Sequence, residues 1–329
     1  MRAFFIFTLI WLASPVLAFC TGTDELAGLT TQDRARLNDA VSATPYPVGN
    51  HWRAQKDDSV IHVVGTVHAY DPRLDPALER LKPLIDDAEM LLVEITLDDE
   101  RALQERLTRK PELLMLTDGP TLPELMSEES WQNLADAARE RQIPAFMAAK
   151  FQPWYLSMIL GIPPCAMADM ARGVRGLDHM IMEHAVETGT PMQSLEDSAT
   201  LLRMFSSDPI EEQIEMLEAG LAMNYDADAM YATLIEAYFR EMHVEIWEYS
   251  RLRSQAVPGY TAEDMRRMFA EVEDMLLIRR NIAWMPVILG AADQHDMIIV
   301  AAGAAHLGGE KGVLNLLENE GYALERQPF

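Results

Sequence analysis

One unit occurs twice in this chain, far apart: a short β-branched run, then a glycine, then a histidine three residues on. The first copy is Ser59-Val60-Ile61-His62-Val63-Val64 with Gly65-Thr66-Val67-His68. The second is Met297-Ile298-Ile299-Val300-Ala301-Ala302 with Gly303-Ala304-Ala305-His306. Short runs rich in Val and Ile and bounded by Gly read as strands buried on both faces. In an open α/β sheet, ligands bind beyond the carboxyl ends of the strands. Two histidines just past two strand ends can therefore point into one crevice. Glycine lets the backbone come close to whatever sits there. We read this pair as the reactive centre.

The rest of the chain supplies the other layers. Spacing predicts a helix over 31–42 with Thr31 as N-cap, and a strand at His51-Trp52-Arg53-Ala54. A helix over 76–87 leads to a buried strand, Met90-Leu91-Leu92-Val93, which ends on Glu94. This strand–helix–strand order implies parallel pairing. Residues 98–190 read as mainly helical, with an amphipathic stretch over 176–188. Met192-Gln193-Ser194-Leu195 then ends on Glu196. Residues 197–290 are helical again, with one helix over 275–284 leading to Pro286. A helix through Glu320, capped by Gly321, and a strand over 322–326 close the chain. The expected fold is α/β: a mixed, mainly parallel sheet with ligand residues at strand ends, surrounded by large helical segments.

The first residues read as a targeting segment. Arg2 gives a positive start, residues 4–12 an apolar core, and Val16-Leu17-Ala18 a small-residue cleavage site. Cleavage after Ala18 makes residues 1–18 a signal peptide and 19–329 a single domain, exported to the periplasm or secreted. A lipoprotein reading centred on Cys20 is weakened by bulky Phe19. No second stretch is expected to span a bilayer. The net charge of −25 argues against nucleic acid and anionic lipid surfaces. It is compatible with cation binding, although a solvated surface explains it as well. The two cysteines, Cys20 and Cys165, can form one disulfide in an oxidising compartment, or remain two free thiols. Neither suits a catalytic nucleophile.

Four acceptor residues stand at predicted strand ends: His68, Glu94, Glu196 and His306. Imidazole nitrogens and carboxylate oxygens are ligands of Zn²⁺, Mn²⁺, Co²⁺ or Fe²⁺. Two His and one Glu leave open positions, where a bound water becomes acidic enough to attack a carbonyl. A remaining carboxylate can take the proton. The plainer alternative is that a histidine after a strand only makes a structural hydrogen bond. The other histidines offer less. His179 and His184 are five apart and miss the one-face spacing of a helical ligand pair. His62 suits packing on the sheet, His243 shares a helical face with Trp247, His295 lies in a solvated loop, and His51 has no evident role. The chain has no Gly-x-Ser-x-Gly elbow, phosphate-binding loop, dinucleotide fingerprint or helical His-Glu-x-x-His.

The ordered set of motifs resembles the TraB/GumN family, which is related to the Tiki metalloproteases. The residues that carry the resemblance are Val64-Gly65-Thr66-Val67-His68, Leu92-Val93-Glu94, Gln152-Pro153-Trp154, Gly176-Leu177-Asp178, Ser194-Leu195-Glu196, Arg280-Asn281-Ile282-Ala283-Trp284 and Gly303-Ala304-Ala305-His306-Leu307-Gly308-Gly309. The resemblance implies a metal-dependent peptidase supported by Mn²⁺ or Co²⁺. His68 and His306 would be ligands, and Glu94 a ligand or general base. Arg280 and Asn281 would lie near the site, steadying the oxyanion or the ligand loops, and Glu196 has no settled role. The chain departs from the family at Ala69-Tyr70-Asp71-Pro72-Arg73 and at Ser194-Leu195-Glu196-Asp197, without losing a ligand candidate.

The expected function is an exported hydrolase acting on a peptide or small molecule, with a divalent metal between the two Gly-x-x-His loops. Two rivals use the same residues: a binding protein for a metal, haem or small ligand, and an accessory factor in polysaccharide export or pheromone control.

Overall fold

The two Gly-x-x-His runs are neighbouring strands. A computed structural model describes residue 20, residues 22–223 and residues 226–329. The leader expected over 1–18 lies outside them. Six strands form one sheet: β1 (His51–Lys56), β2 (Ser59–Thr66), β3 (Met90–Val93), β4 (Met192–Ser194), β5 (Met297–Gly303) and β6 (Ala323–Arg326). Their order is β4-β3-β5-β2-β1-β6. β5 pairs in parallel with β2, with Val63 opposite Val300 and Thr66 opposite Gly303. It also pairs in parallel with β3, and β3 with β4. β1 runs antiparallel to both β2 and β6. The sheet is therefore mixed and mainly parallel.

The continuous apolar runs follow from burial on both faces. Successive side chains of a strand point to opposite sides. Ile298, Val300 and Ala302 pack with Trp284, Ile288, Leu314 and Leu317 on one face. Ile299 and Ala301 pack with Leu81, Ile85, Leu177 and Ile181 on the other. Helices Arg279–Ala292 and Val313–Asn319 thus cover one face, and Leu74–Asp87 and Leu177–Thr188 the second. A further core of Leu122, Leu134, Leu156 and Leu217 lies among the helices that follow β3.

Several local expectations need correction. Helix Thr31–Ala43 is capped by Thr30, not Thr31, because the Thr30 side chain accepts from the Asp33 amide. The helix expected over 275–284 is part of a longer run, Ala262–Ala292. A π-helical turn, Asp274–Ile278, joins helix Ala262–Glu273 to Arg279–Ala292, which passes through Pro286. Pro286 removes a donor from the Ile282 carbonyl, and Ile282 is half exposed, so water can replace it. By length and composition this run could also cross a bilayer, with mean hydropathy 1.3 over its most apolar 18 residues, where no such stretch was expected. In this fold its Trp284, Met285 and Ile288 are buried in the core beside the sheet.

The cysteines form a bridge. Cys20 and Cys165 are joined, with Cα atoms 5.4 Å apart across 145 positions of sequence. The bridge ties the start of the described chain to helix Pro164–Ala171.

Candidate functional site

His68 follows β2, Glu94 follows β3, Glu196 follows β4 and His306 follows β5. Those four strands are consecutive in the sheet and parallel, so all four residues leave its carboxyl end together. The glycines serve close approach rather than a left-handed backbone. A Cβ on Gly65 would lie 3.0 Å from the Ala304 Cβ, and one on Gly303 would lie 3.3 Å from Glu94 Oε1. The Gly303 amide uses that space to donate to Glu94 Oε1 at 2.7 Å.

His306 is buried and its tautomer is readable. Asn281 Nδ2 donates to the backbone carbonyls of Lys311, at 2.9 Å, and His306, at 3.3 Å. Asn281 Oδ1 is therefore the acceptor facing His306 Nδ1, 2.6 Å away, and that nitrogen carries the proton. Nε2 keeps a lone pair, which faces Arg280 Nη1 at 3.2 Å. The ring lies against Trp284, with centroids 4.4 Å apart. Burial pushes the His306 pKa down to about 3, so the ring is neutral.

Arg280 joins the two carboxylates. It donates to Glu94 Oε2 at 2.5 Å and to both Glu196 oxygens, from Nε at 2.9 and 3.2 Å and again from Nη2. Its guanidinium also lies over the Trp284 ring. All three side chains are mostly buried, at 11% exposure for Arg280, 17% for Glu94 and 8% for Glu196. Burial raises the Glu94 carboxyl, but the charges around it and the Gly303 amide outweigh that and bring it to about 2. Burial also raises Glu196, and there Arg280 does not fully offset it. The two carboxylates are thus pushed apart in acidity, a pattern typical of acid and base pairs.

His68 is held differently. Its side chain is 73% exposed, and Nδ1 lies 2.8 Å from Asp178 Oδ2. Asp178 Oδ2 lies 3.3 Å from His179 Nδ1, and His179 Nε2 lies 3.1 Å from Glu100 Oε2. The Asp178 hydrogen bond raises His68 to about 9, with water at the open ring screening the interaction. The Asp178 and Glu100 carboxylates raise His179 to about 10. Burial works against ionisation of Asp178, but the two imidazoles outweigh it and hold the carboxyl well below its usual range.

Asp178, His179 and Glu100 were not singled out from sequence. A test for two ligands on one helix discards His179, which instead pairs with its neighbour and with a second helix. The available signal was Asp178 in Gly176-Leu177-Asp178. That segment touches the His68 loop directly: the Leu177 amide donates to Val67 O at 3.0 Å. A Cβ on Gly176 would lie 2.0 Å from the same oxygen. The remaining histidines stand apart from this cluster. His184 pairs with Asp86 and His295 with Glu89, while His243 bonds the Tyr46 carbonyl. His51 Nε2 and His62 Nδ1 lie 3.0 Å apart within the sheet.

The donor chemistry fits a divalent ion. Both site imidazoles use Nδ1 on an oxygen acceptor, which sets the ring angle and leaves Nε2 for a metal, at His68 in exchange for the proton that nitrogen carries at neutral pH. The Glu94 carboxylate follows β3, on the other side of β5 from β2. Ligation by His306 requires Arg280 to yield Nε2. Among the described residues one tighter cluster, Cys20, Cys165 and Asp228, has the spacing of a metal site. Its sulfurs are spent in the bridge and offer no thiolate. Two surface cavities, of about 170 and 800 Å³, include none of these histidines or of Glu94, Glu196 and Arg280.

Comparison with known proteins agrees with the motif order. The chain is 23% identical over 276 residues to the uncharacterized protein YbaP of Escherichia coli K12, covering 82% of this chain and 94% of that protein. The YbaP protein of Shigella flexneri matches to the same extent. The model of the TraB/PrgY/gumN family matches residues 50–326, which span all six strands and every site residue named above, and the chain belongs to that family.

Proposed function

We propose that this protein is an exported metal-dependent hydrolase acting on peptide substrates. One observation carries the reading: at the carboxyl ends of three adjacent parallel strands stand two imidazoles, each with Nδ1 on an oxygen acceptor, and the low-pKa carboxylate of Glu94. His68, His306 and Glu94 would hold a divalent ion such as Mn²⁺, Co²⁺, Zn²⁺ or Fe²⁺. When bound, such an ion makes a water acidic enough to attack a carbonyl at neutral pH. Glu196, raised by burial, is the carboxylate suited to carry a proton. Arg280 would free one Nη1–H for a developing oxyanion when a metal takes His306 Nε2, since its other donors go to Glu94, Glu196 and the Leu276 carbonyl. Asn281 acts through His306, whose ring and backbone it holds. The Cys20–Cys165 bridge supports an oxidising compartment.

The test is elemental analysis of the purified protein beside His68→Ala/His306→Ala and His184→Ala. Metal is expected in the wild type and in His184→Ala, and lost in the double variant. Equal metal in all three would sink the assignment. Peptide-library assays with the identified ion then follow; metal uptake without turnover would leave a binding protein.

A second reading rests on Arg280, which lies against His306 Nε2, and on the His68–Asp178 pair. An open imidazole oriented by a carboxylate is the arrangement of a general base, here one whose lone pair is freed only as pH rises toward 9. A hydrolase of that kind keeps its turnover in EDTA, and a metal-dependent one loses it.

A further inference from the structure

The two site histidines are anchored by unlike means. His306 is 4% exposed, packed against Trp284 and bonded to Asn281. Burial and the Asn281 bond together restrict its ring. His68 is open to solvent, and an exposed side chain samples several rotamers unless a specific bond selects one. Asp178 supplies that bond at 2.8 Å. The Asp178 carboxylate is itself restrained on two sides. Its helix begins against the Val67–His68 backbone, at a distance only Gly176 permits. His179 stands on the other side, its Nδ1 3.3 Å from Asp178 Oδ2, an ion-pair distance without hydrogen-bond geometry. What draws His179 is Glu100, 3.1 Å away in the first turn of helix Leu97–Arg109. That helix starts three residues after Glu94. The chain of contacts therefore runs from the loop that carries Glu94 back to the loop that carries His68.

We propose that Asp178, His179 and Glu100 are positioning residues that fix the His68 ring with Nε2 toward the crevice, and so set the distance between the His68 and Glu94 loops. The proposal rests on the reading of His68 as a site residue. It assigns the three residues no contact with substrate.

The experiment is a Co²⁺ titration of the whole protein, followed by visible absorption, for wild type, Asp178→Ala, Asp178→Asn, His179→Leu and His184→Ala. Loss of an outer partner of a ligating histidine weakens metal affinity about 10–100-fold. Asp178→Ala is expected in that range, with a changed spectrum that reports altered ligand geometry. Asp178→Asn keeps an acceptor for His68 Nδ1 and should lose less. His179→Leu should fall between wild type and Asp178→Ala, and His184→Ala should match wild type. Equal affinity and spectrum for Asp178→Ala and wild type would overturn the proposal. If the wild type itself takes up no Co²⁺, the metal reading fails, and crystal structures of wild type and Asp178→Ala decide the positioning role alone. One His68 rotamer in the first and a displaced or disordered ring in the second supports it; an unchanged ring refutes it.

Discussion

Arg280 is the residue on which the buried charges of the site depend. Glu94 and Glu196 are both mostly buried, and each takes its cation from this one guanidinium. Removing one partner of a buried ion pair leaves an uncompensated charge, at a cost of about 3–5 kcal/mol. Arg280→Met should therefore lower stability by that order, read as a fall in the urea midpoint at pH 7. Arg280→Lys should recover only part of it, because an ammonium cannot reproduce the planar fork that meets two carboxylates at once. A midpoint unchanged in Arg280→Met would mean that the two glutamates are satisfied by other groups. At this scale the sequence was informative about some residues and silent about others. His68, Glu94, Glu196 and His306 were visible because each follows a short apolar run, a pattern contained within ten residues. Glu100 was not, and Asp178 stood only within the Gly176-Leu177-Asp178 motif without a role, because their partners lie 79 and 110 positions away and only the fold makes them neighbours.

Among the elements, β2 and β5 were legible because both faces of each are buried, which demands an unbroken apolar run. The hand-over from helix Ala262–Glu273 to Arg279–Ala292 was not. A π turn leaves no apolar period of its own, and Pro286 suggests an end where the helix continues. The β1–β2 pair carries a prediction. His51 and His62 face each other across the two strands, and the Pro328 carbonyl lies 3.2 Å from the second His51 nitrogen. Burial, with the nearby charges of His51 and Arg53, lowers the His62 pKa from 6.5 to about 4. The unfolded chain then binds this proton more readily than the folded one. The stability it contributes is complete above about pH 6.5 and is lost as pH falls toward 4. The loss should be on the order of 3 kcal/mol, since each pKa unit is worth about 1.4 kcal/mol. Urea midpoints at pH 7, 5.5 and 4 for wild type and His62→Gln measure it. A wild-type loss no steeper than that of His62→Gln would show that the ring is not protonated on unfolding in this range.

For the whole molecule, two long-range closures matter most. The Cys20–Cys165 bridge spans 145 positions, and a loop of that length restricts the unfolded chain enough to stabilise the fold by about 5 kcal/mol at most. Cys165→Ala, or reduction of the wild type, should lower the melting temperature, with both treatments giving the same value. A wild type that melts identically with and without reductant would assign the bridge no role in stability. The second closure is the sheet itself. β5 lies between β2 and β3, although it follows them by more than two hundred positions. Until that strand arrives, β2 and β3 have no contact along their facing edges, and His68 and Glu94 have no common crevice. A chain that lacks β5 therefore keeps His68, Glu94 and Glu196 but not their arrangement. The arrangement of these side chains is thus a property of the closed sheet and of no shorter stretch of the chain.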